Sequence, residues 1–406
     1  MDGSFTSPDA PARVSLREKV FASVLGHLSE GTLCVSFPSG HVRTFIGRQD
    51  PTRFQATMHI KRWSAVARTL RGGAIGLGES FMDGDWHSPD LTALLQLLAA
   101  NMDRLESKLP KLGAFKLIDR IGHFFNRNTR KGSRRNIAYH YDLGNDFYRL
   151  WLDASMTYSA ALFDQGTTDL EAAQARKYAR LAEAVGIKAG DHVLEVGCGW
   201  GGFADYAVNV LGARVTGVTL SQEQLAYAQA RLAATPGRDR ADLRLCDYRD
   251  IEGEFDHIVS IEMLEAVGEQ FWPTYFGTLK ARLKPAGRIG IQVIRIDDQR
   301  FEGYRRGVDF IQKYIFPGGM LPSDEVLKAR FSAAGLTLAD QLDFGLDYAE
   351  TLKRWHQSFN AVLGDVRDQG FDERFIRMWQ FYLAYCEAGF REQTIDVSHY
   401  VLGHDR

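Results

Sequence analysis

The chain has 406 residues, 45% of them hydrophobic and 25% charged, and a formal net charge of −2. That length predicts two domains, and the composition is that of a globular protein rather than a disordered or fibrous one. No run approaches the ~20 apolar residues that span a bilayer, Met1-Asp2-Gly3-Ser4 opens no secretory signal, and no domain-wide basic excess points to nucleic acid.

Cys34, Cys198, Cys246 and Cys386 lie far apart, without CxxC or Cys/His clustering. They point to a reducing compartment and against a structural zinc or other metal site. Residues 1–30 read as a polar lead into a helix. Val35 to Phe45 reads as a β-hairpin around Pro38-Ser39-Gly40, followed by a strand at 56–60 and a helix at 63–70. The glycine-dense stretch 72–86 predicts tight turns where backbone passes close to packed neighbours. A helix begins at 91–98.

Between Lys108 and Arg135 stand nine basic residues against one acid, Asp119. Leu112, Phe115, Leu117, Ile118, Ile121, Phe124 and Phe125 are threaded among them. Basic and apolar residues together suit the surface of an anionic bilayer; an ordinary amphipathic interdomain helix is the plainer alternative. The expected organisation is an α+β N-terminal domain at 1–107, a basic apolar linker at 108–135 and a catalytic domain at 136–406.

From residue 136 strand and helix alternate. Strands are expected at 192–197, 214–220, 242–247, 256–261, 287–294, 336–344 and 397–402. Helices are expected at 170–185, 200–211, 222–233, 269–283 and 323–334. Two further helical stretches, 349–368 and 371–391, offer a lid or an acyl tunnel. The alternation predicts an α/β fold with a mainly parallel, Rossmann-like sheet whose ligands sit at the carboxyl edge.

The densest signal lies at 191–203, Asp-His-Val-Leu-Glu-Val-Gly-Cys-Gly-Trp-Gly-Gly-Phe. A buried strand runs into Gly197, Gly199 and Gly201, which let backbone approach a ligand where a Cβ would collide. Cys198 inside this turn reads as a small side chain packed beneath the loop rather than as a nucleophile. The spacing G-x-G-x-G, with Glu195 two residues before the first glycine, departs from the dinucleotide pattern G-x-G-x-x-G. It is the pattern of class I methyltransferases, in which the strand-end acid helps to hold the aminopropyl end of S-adenosylmethionine. A second strand, 214–220, ends at Thr219, and Ser221 caps the next helix. Where a dehydrogenase would place an acid for the ribose, this chain offers Thr219 and Gln224.

These motifs, with Tyr139-His140-Tyr141-Asp142-Leu143-Gly144-Asn145, Met156-Thr157-Tyr158-Ser159, Asp247-Tyr248-Arg249-Asp250, Glu262-Met263-Leu264-Glu265 and Lys313-Tyr314-Ile315-Phe316-Pro317, resemble the cyclopropane-fatty-acyl-phospholipid synthase family, relatives of the cyclopropane mycolic acid synthases. The resemblance implies a class I S-adenosylmethionine-dependent methyltransferase fold. It also implies transfer of the methyl carbon to a cis double bond of a phospholipid acyl chain as a methylene. Cofactor contacts carried over by motif are Tyr158, Ser159, Glu195, Gly197, Gly199, Gly201, Thr219, Gln224, Asp247 and Tyr248. The resemblance further implies a bound bicarbonate as base, held by Glu265, Tyr348, a backbone contact at Ile294 and the backbone at Ala160. Two departures stand out. Ala160 replaces a family cysteine, and Gln292 replaces a family histidine. Glutamine donates to an anion but relays no proton.

The expected partners are unsaturated phospholipid and an anionic membrane surface, with no nucleic acid. The expected location is cytoplasmic, at the inner face of the membrane. A homodimer is one expectation for the assembly. The rival reactions are a C-methyltransferase leaving a methyl or methylene branch, and a catalytically silent lipid-binding relative.

Overall fold

The computed structural model describes residues 14–108, 143–163 and 169–405. Most of the basic stretch, 109–135, and Tyr139-His140-Tyr141-Asp142 of the first motif lie outside the described residues. The chain divides into two compact units, Met1–Phe115 and Lys116–Arg406.

In the first unit, α1 (Leu16–Leu25) starts where the Ser15 hydroxyl accepts from the Glu18 amide at 3.1 Å. The expected hairpin is β1 (Glu30–Ser36) against β2 (Val42–Ile46), antiparallel. β3 (Asp50–Ile60) runs parallel to β1, and after α2 (Trp63–Met82) the short β4 (Trp86–His87) completes a sheet of order β2-β1-β3-β4. α3 (Leu91–Ala100) and α4 (Met102–Lys108) follow. Alternation along β1 buries Leu33 and Val35, and Met58, Ile60, Leu94 and Leu97 are buried with them.

The turns expected across 72–86 are found at Asp83-Gly84 and as a break at Gly73, but the residues between are helical, which is a correction. The helix continues to Met82, broken at Gly73, whose φ of 56° and ψ of −132° no β-carbon tolerates easily. A Cβ at Gly76 would lie 2.1 Å from the Arg68 carbonyl oxygen. The close passage is therefore real, and it lies across the kink, between the helical segments on either side of Gly73. Burial of Gly76, Leu77, Gly78, Ser80, Phe81 and Met82, around most of the helix, outweighs the ~1 kcal/mol that each helical glycine costs.

The second unit opens with α5 (Asn145–Arg149), a helix absent from the sequence reading, and α6 (Leu170–Val185). The repeating part is β5 (His192–Val196), α7 (Gly202–Asn209), β6 (Arg214–Thr219), α8 (Gln222–Ala233), β7 (Ala241–Leu245) and β8 (Phe255–Ile261). It continues through α9 (Trp272–Arg282), β9 (Leu283–Ile296), α10 (Asp298–Arg305), α11 (Phe310–Tyr314) and α12 (Asp324–Ala333). It ends with β10 (Leu336–Asp343), α13 (Gly345–Ala361), α14 (Leu363–Asp368), α15 (Glu373–Arg391) and β11 (Ile395–His404).

The seven strands lie in the order β10-β11-β9-β8-β5-β6-β7. Pairs from β9 to β7 are parallel, and β11 is antiparallel to both its neighbours. This is a class I methyltransferase sheet. The chain leaves central β5 toward β6 on one side and later returns to β8 on the other, so the strand order reverses beside β5. Ligands bind at that switch point. Helices α10 and α11 escape sequence reading because α10 buries only Phe301 and α11 spans five residues. The stretch 349–368 is two helices, α13 and α14, meeting at Val362.

Candidate active site

At the carboxyl end of β5 the backbone turns through Gly197 (φ 85°) and Gly199 (φ 52°), conformations that favour glycine. A Cβ on Gly197 would press on the Met263 side chain at 2.8 Å, whereas one on Gly199 would meet nothing within 4 Å. Gly199 is thus the face open to a ligand. The cleft above it is lined by Tyr158, Ser159, Glu195, Gly197, Gly199, Thr219, Gln224 and Tyr248, gathered from four separate stretches of sequence. Gln224 is buried and its Oε1 accepts from the Thr219 hydroxyl at 3.2 Å.

Two expected cofactor residues stand apart. Gly201 is the N-cap of α7, and its open side is filled by Ala228, 2.9 Å from a built Cβ. The Asp247 carboxylate is engaged by the Arg249 guanidinium at 2.5 and 2.8 Å, so its charge is spent within its own loop. Cys198 is buried, and burial pushes its thiol well above the usual range, which makes it packing rather than a nucleophile.

The cleft fits S-adenosylmethionine on its own chemistry. Glu195 and Tyr248 line the cleft, and the buried Glu195 Oε2 and Tyr248 hydroxyl have no hydrogen-bond partner among the described residues. Buried polar atoms are otherwise satisfied. An acceptor beside a glycine turn, paired hydroxyl and amide at the next strand end, and an aromatic ring beyond suit an amino-acid tail, a ribose and an adenine respectively.

Beside this cradle lies a group that sequence reading missed, Glu262, which also lines the cleft. It follows β8 with φ 49°, a left-handed conformation for a residue with a long side chain. Its Oε1 accepts from the Ala160 amide at 2.8 Å and from Gln292 Nε2 at 2.7 Å, and its Oε2 accepts from the Tyr348 hydroxyl at 2.8 Å. Burial raises the carboxyl, and the nearby Lys177 charge, these donors and the Ala160 amide oppose the rise. The signal was legible in principle: Glu262-Met263-Leu264-Glu265 carries two acids at a strand end.

Tyr348, Gln292 and Ala160 therefore converge as expected, but on Glu262. Glu265, expected with Tyr348 around a bicarbonate, is not among the groups that meet there. Glu265 lies three residues on, in a single turn of 3-10 helix, and takes the Ile294 amide at 2.5 Å. Burial, then the Glu262 charge, pushes its carboxyl up to about 8, so it is a neutral acid at pH 7.

Aromatic rings form one wall. Tyr158 lines the cleft and packs on Tyr148, Trp151 and Trp355 at centroid distances of 5.3, 5.6 and 5.3 Å. Its hydroxyl shares a 2.7 Å hydrogen bond with Tyr382 on α15. Trp151, Trp355 and Trp379 are fully buried. Helices α13 and α15 thus close this side, in the position where the sequence reading expected a lid or tunnel. Lys177, on α6, is also fully buried; its ammonium donates to the Ser159 hydroxyl at 2.5 Å, and burial brings it down to about 7.

Residues 128–400 match the family model described as mycolic acid cyclopropane synthetase. The chain belongs to that family. It is 41% identical to the tuberculostearic acid methyltransferase UfaA1 of Mycobacterium tuberculosis over 88% of this chain and 85% of that one. It is 37% identical to the cyclopropane-fatty-acyl-phospholipid synthase of Escherichia coli K12 over 84% of this chain and 86% of that one. Among solved structures, the mycolic acid cyclopropane synthase CmaA1 complexed with SAH and CTAB superposes with a TM-score of 0.63 at 30% identity, covering 66% of this chain and 97% of that one. Membership makes the protein an S-adenosylmethionine-dependent C-methyltransferase of the cyclopropane synthase type.

Proposed function

We propose that this chain transfers the methyl carbon of S-adenosylmethionine to a cis double bond of an unsaturated phospholipid acyl chain and closes a cyclopropane ring. The observation that carries the reading is Tyr158. It contributes to the cofactor cleft while packing on Tyr148, Trp151 and Trp355. An isolated alkene is a poor nucleophile, so the chemistry depends on holding it against the sulfonium methyl in a dry site. Attack leaves a carbocation, and aromatic faces stabilise a cation without attacking it.

When bound, S-adenosylmethionine supplies the electrophilic methyl. Glu195 is suited to its ammonium end, Thr219 and Gln224 to its ribose, and Tyr248 to its adenine. Phospholipid as the substrate rests on the 37% identity to the Escherichia coli synthase. A membrane-bound substrate also suits the basic and apolar stretch 108–135. No helix among the described residues is long and apolar enough to cross a membrane, and docking at an anionic surface is the mode we propose, at the cytoplasmic face.

A second reading, a C-methyltransferase that leaves a methyl or methylene branch, is favoured by the 41% identity to UfaA1 and by Gln292. Incubating the protein with S-adenosylmethionine and unsaturated phosphatidylglycerol vesicles separates them. Mass spectrometry should show a gain of one CH₂ per modified acyl chain, and proton NMR should show upfield ring hydrogens. The same gain with methyl or vinylidene signals and no ring hydrogens selects the second reading. No gain on any unsaturated lipid would reject both.

A further inference from the structure

We propose that the Glu262 carboxylate is the proton acceptor of the reaction, standing where bicarbonate was expected. The proposal rests on the alkylation reading above for its substrate, and on the geometry around Glu262 for its chemistry.

Three of the groups expected to cradle an external anion, the Ala160 amide, Gln292 and Tyr348, hold this side chain instead, at 2.7 to 2.8 Å. The Ala160 amide can only donate, and with Gln292 and Tyr348 donating as well the set complements a carboxylate, the form that Lys177 and these donors favour against burial. Gln292 is itself oriented. His399, its register partner on β11, lies with Nε2 2.8 Å from Gln292 Oε1. Burial keeps His399 neutral by lowering its pKa well below the usual range, and the tautomer with Nε2–H donating to Gln292 Oε1 is the one that leaves the Gln292 NH₂ pointing at Glu262. The reversed amide would set oxygen against carboxylate.

The backbone adds an independent observation. Glu262 adopts φ 49°, a conformation costing about 1 kcal/mol or more outside glycine. Met156, with φ 52°, lines the same cleft. Strain of this kind persists where surrounding contacts enforce it and is concentrated at working sites.

The proton step balances without an external base. As the alkene π pair forms the first new C–C bond, the C–S pair remains on sulfur. A C–H bond of the transferred methyl then breaks toward a Glu262 oxygen, and its electron pair closes the third side of the ring. The proton leaves to solvent with the product. Two hydrogen bonds on Oε1 and one on Oε2 reduce the nucleophilicity of both oxygens, which protects the side chain from alkylation while leaving it a strong enough base to take a proton from so acidic a species as a carbocation.

Two measurements test this. In the first, ¹³C-bicarbonate is titrated into the parent and into Glu262→Gly with S-adenosylhomocysteine present, followed by NMR. Glycine suits the φ at this position, so the variant should fold. Saturable bicarbonate binding is expected in Glu262→Gly and not in the parent; saturable binding by the parent, weakened in Tyr348→Phe, would overturn the proposal. In the second, turnover on unsaturated vesicles is followed in CO₂-free buffer. The parent should need no bicarbonate. Glu262→Gln should lose ~10²-fold or more in turnover while keeping its S-adenosylhomocysteine affinity, and formate or bicarbonate should partly restore Glu262→Gly. An active parent that requires bicarbonate, or a fully active Glu262→Gln, removes the base alone. A parent that alkylates no lipid removes the alkylation reading and the base with it.

Discussion

The Tyr348 hydroxyl donates to Glu262 Oε2 at 2.8 Å across 86 residues of sequence, joining helix α13 to the end of β8. Burial, then the Glu262 charge, raises the phenol well above its usual range, so it stays a donor at every working pH. Removing that hydroxyl leaves one carboxylate oxygen without its donor. A hydrogen bond to a charged group contributes about 1.5–3 kcal/mol, so Tyr348→Phe should lower turnover by roughly 10- to 100-fold. Its S-adenosylhomocysteine affinity by calorimetry should not change. Loss of both together would place Tyr348 in the cofactor cradle instead.

Gly199 tests the cradle. Its φ of 52° and the open space around a built Cβ put any side chain on the ligand face. Gly199→Val adds strain and bulk where the cofactor should lie, so calorimetric S-adenosylhomocysteine binding should vanish while the circular dichroism spectrum stays that of the parent. Retained affinity would move the cofactor away from the β5 turn.

The sheet was legible because its strands are short apolar runs separated by helices of matching length. β5, β6 and α8 fall within one residue of expectation. The cofactor cradle was legible for the same local reason, since Glu195, Gly197 and Gly199 are adjacent in sequence. The carboxylate site was not. Ala160, Glu262, Gln292 and Tyr348 come from four separate segments, and only the folded register of β8, β9 and α13 shows which acid Tyr348 reaches. A one-turn offset, from Glu262 to Glu265, changes the partner. In the first unit the glycine count suggested turns, and tertiary burial of α2 overrode that local preference.

The basic stretch yields a prediction from charge alone. Each Lys or Arg near an anionic surface contributes about 1 kcal/mol at low ionic strength, and salt screens it. Replacing Arg127, Arg130 and Lys131 with glutamine should weaken binding to phosphatidylglycerol vesicles by roughly 3 kcal/mol at low salt, with the difference shrinking as salt rises. The thermal shift caused by S-adenosylhomocysteine should match that of the parent. Equal vesicle binding of variant and parent across the salt series would return the stretch to an interdomain helix.

Glu265 links the site to stability. Its carboxyl is held at about 8 in the folded protein against an ordinary value of 4.5, chiefly by burial. Below pH 4.5 both folded and unfolded chains carry the proton. Between 4.5 and about 8 the unfolded chain has released it and the folded chain keeps it, so stability falls as pH rises through this window and the slope vanishes above it. The ceiling on that slope is about 1.4 kcal/mol per pH unit. Glutamine keeps an oxygen for the Ile294 amide and cannot titrate, so Glu265→Gln should lack this contribution. In urea unfolding from pH 5 to pH 8, the stability of Glu265→Gln relative to the parent should therefore rise steadily with pH. Parallel curves for the two proteins would mean that Glu265 is ionised in the folded state, and that the carboxylate pair is relieved by a contact other than protonation.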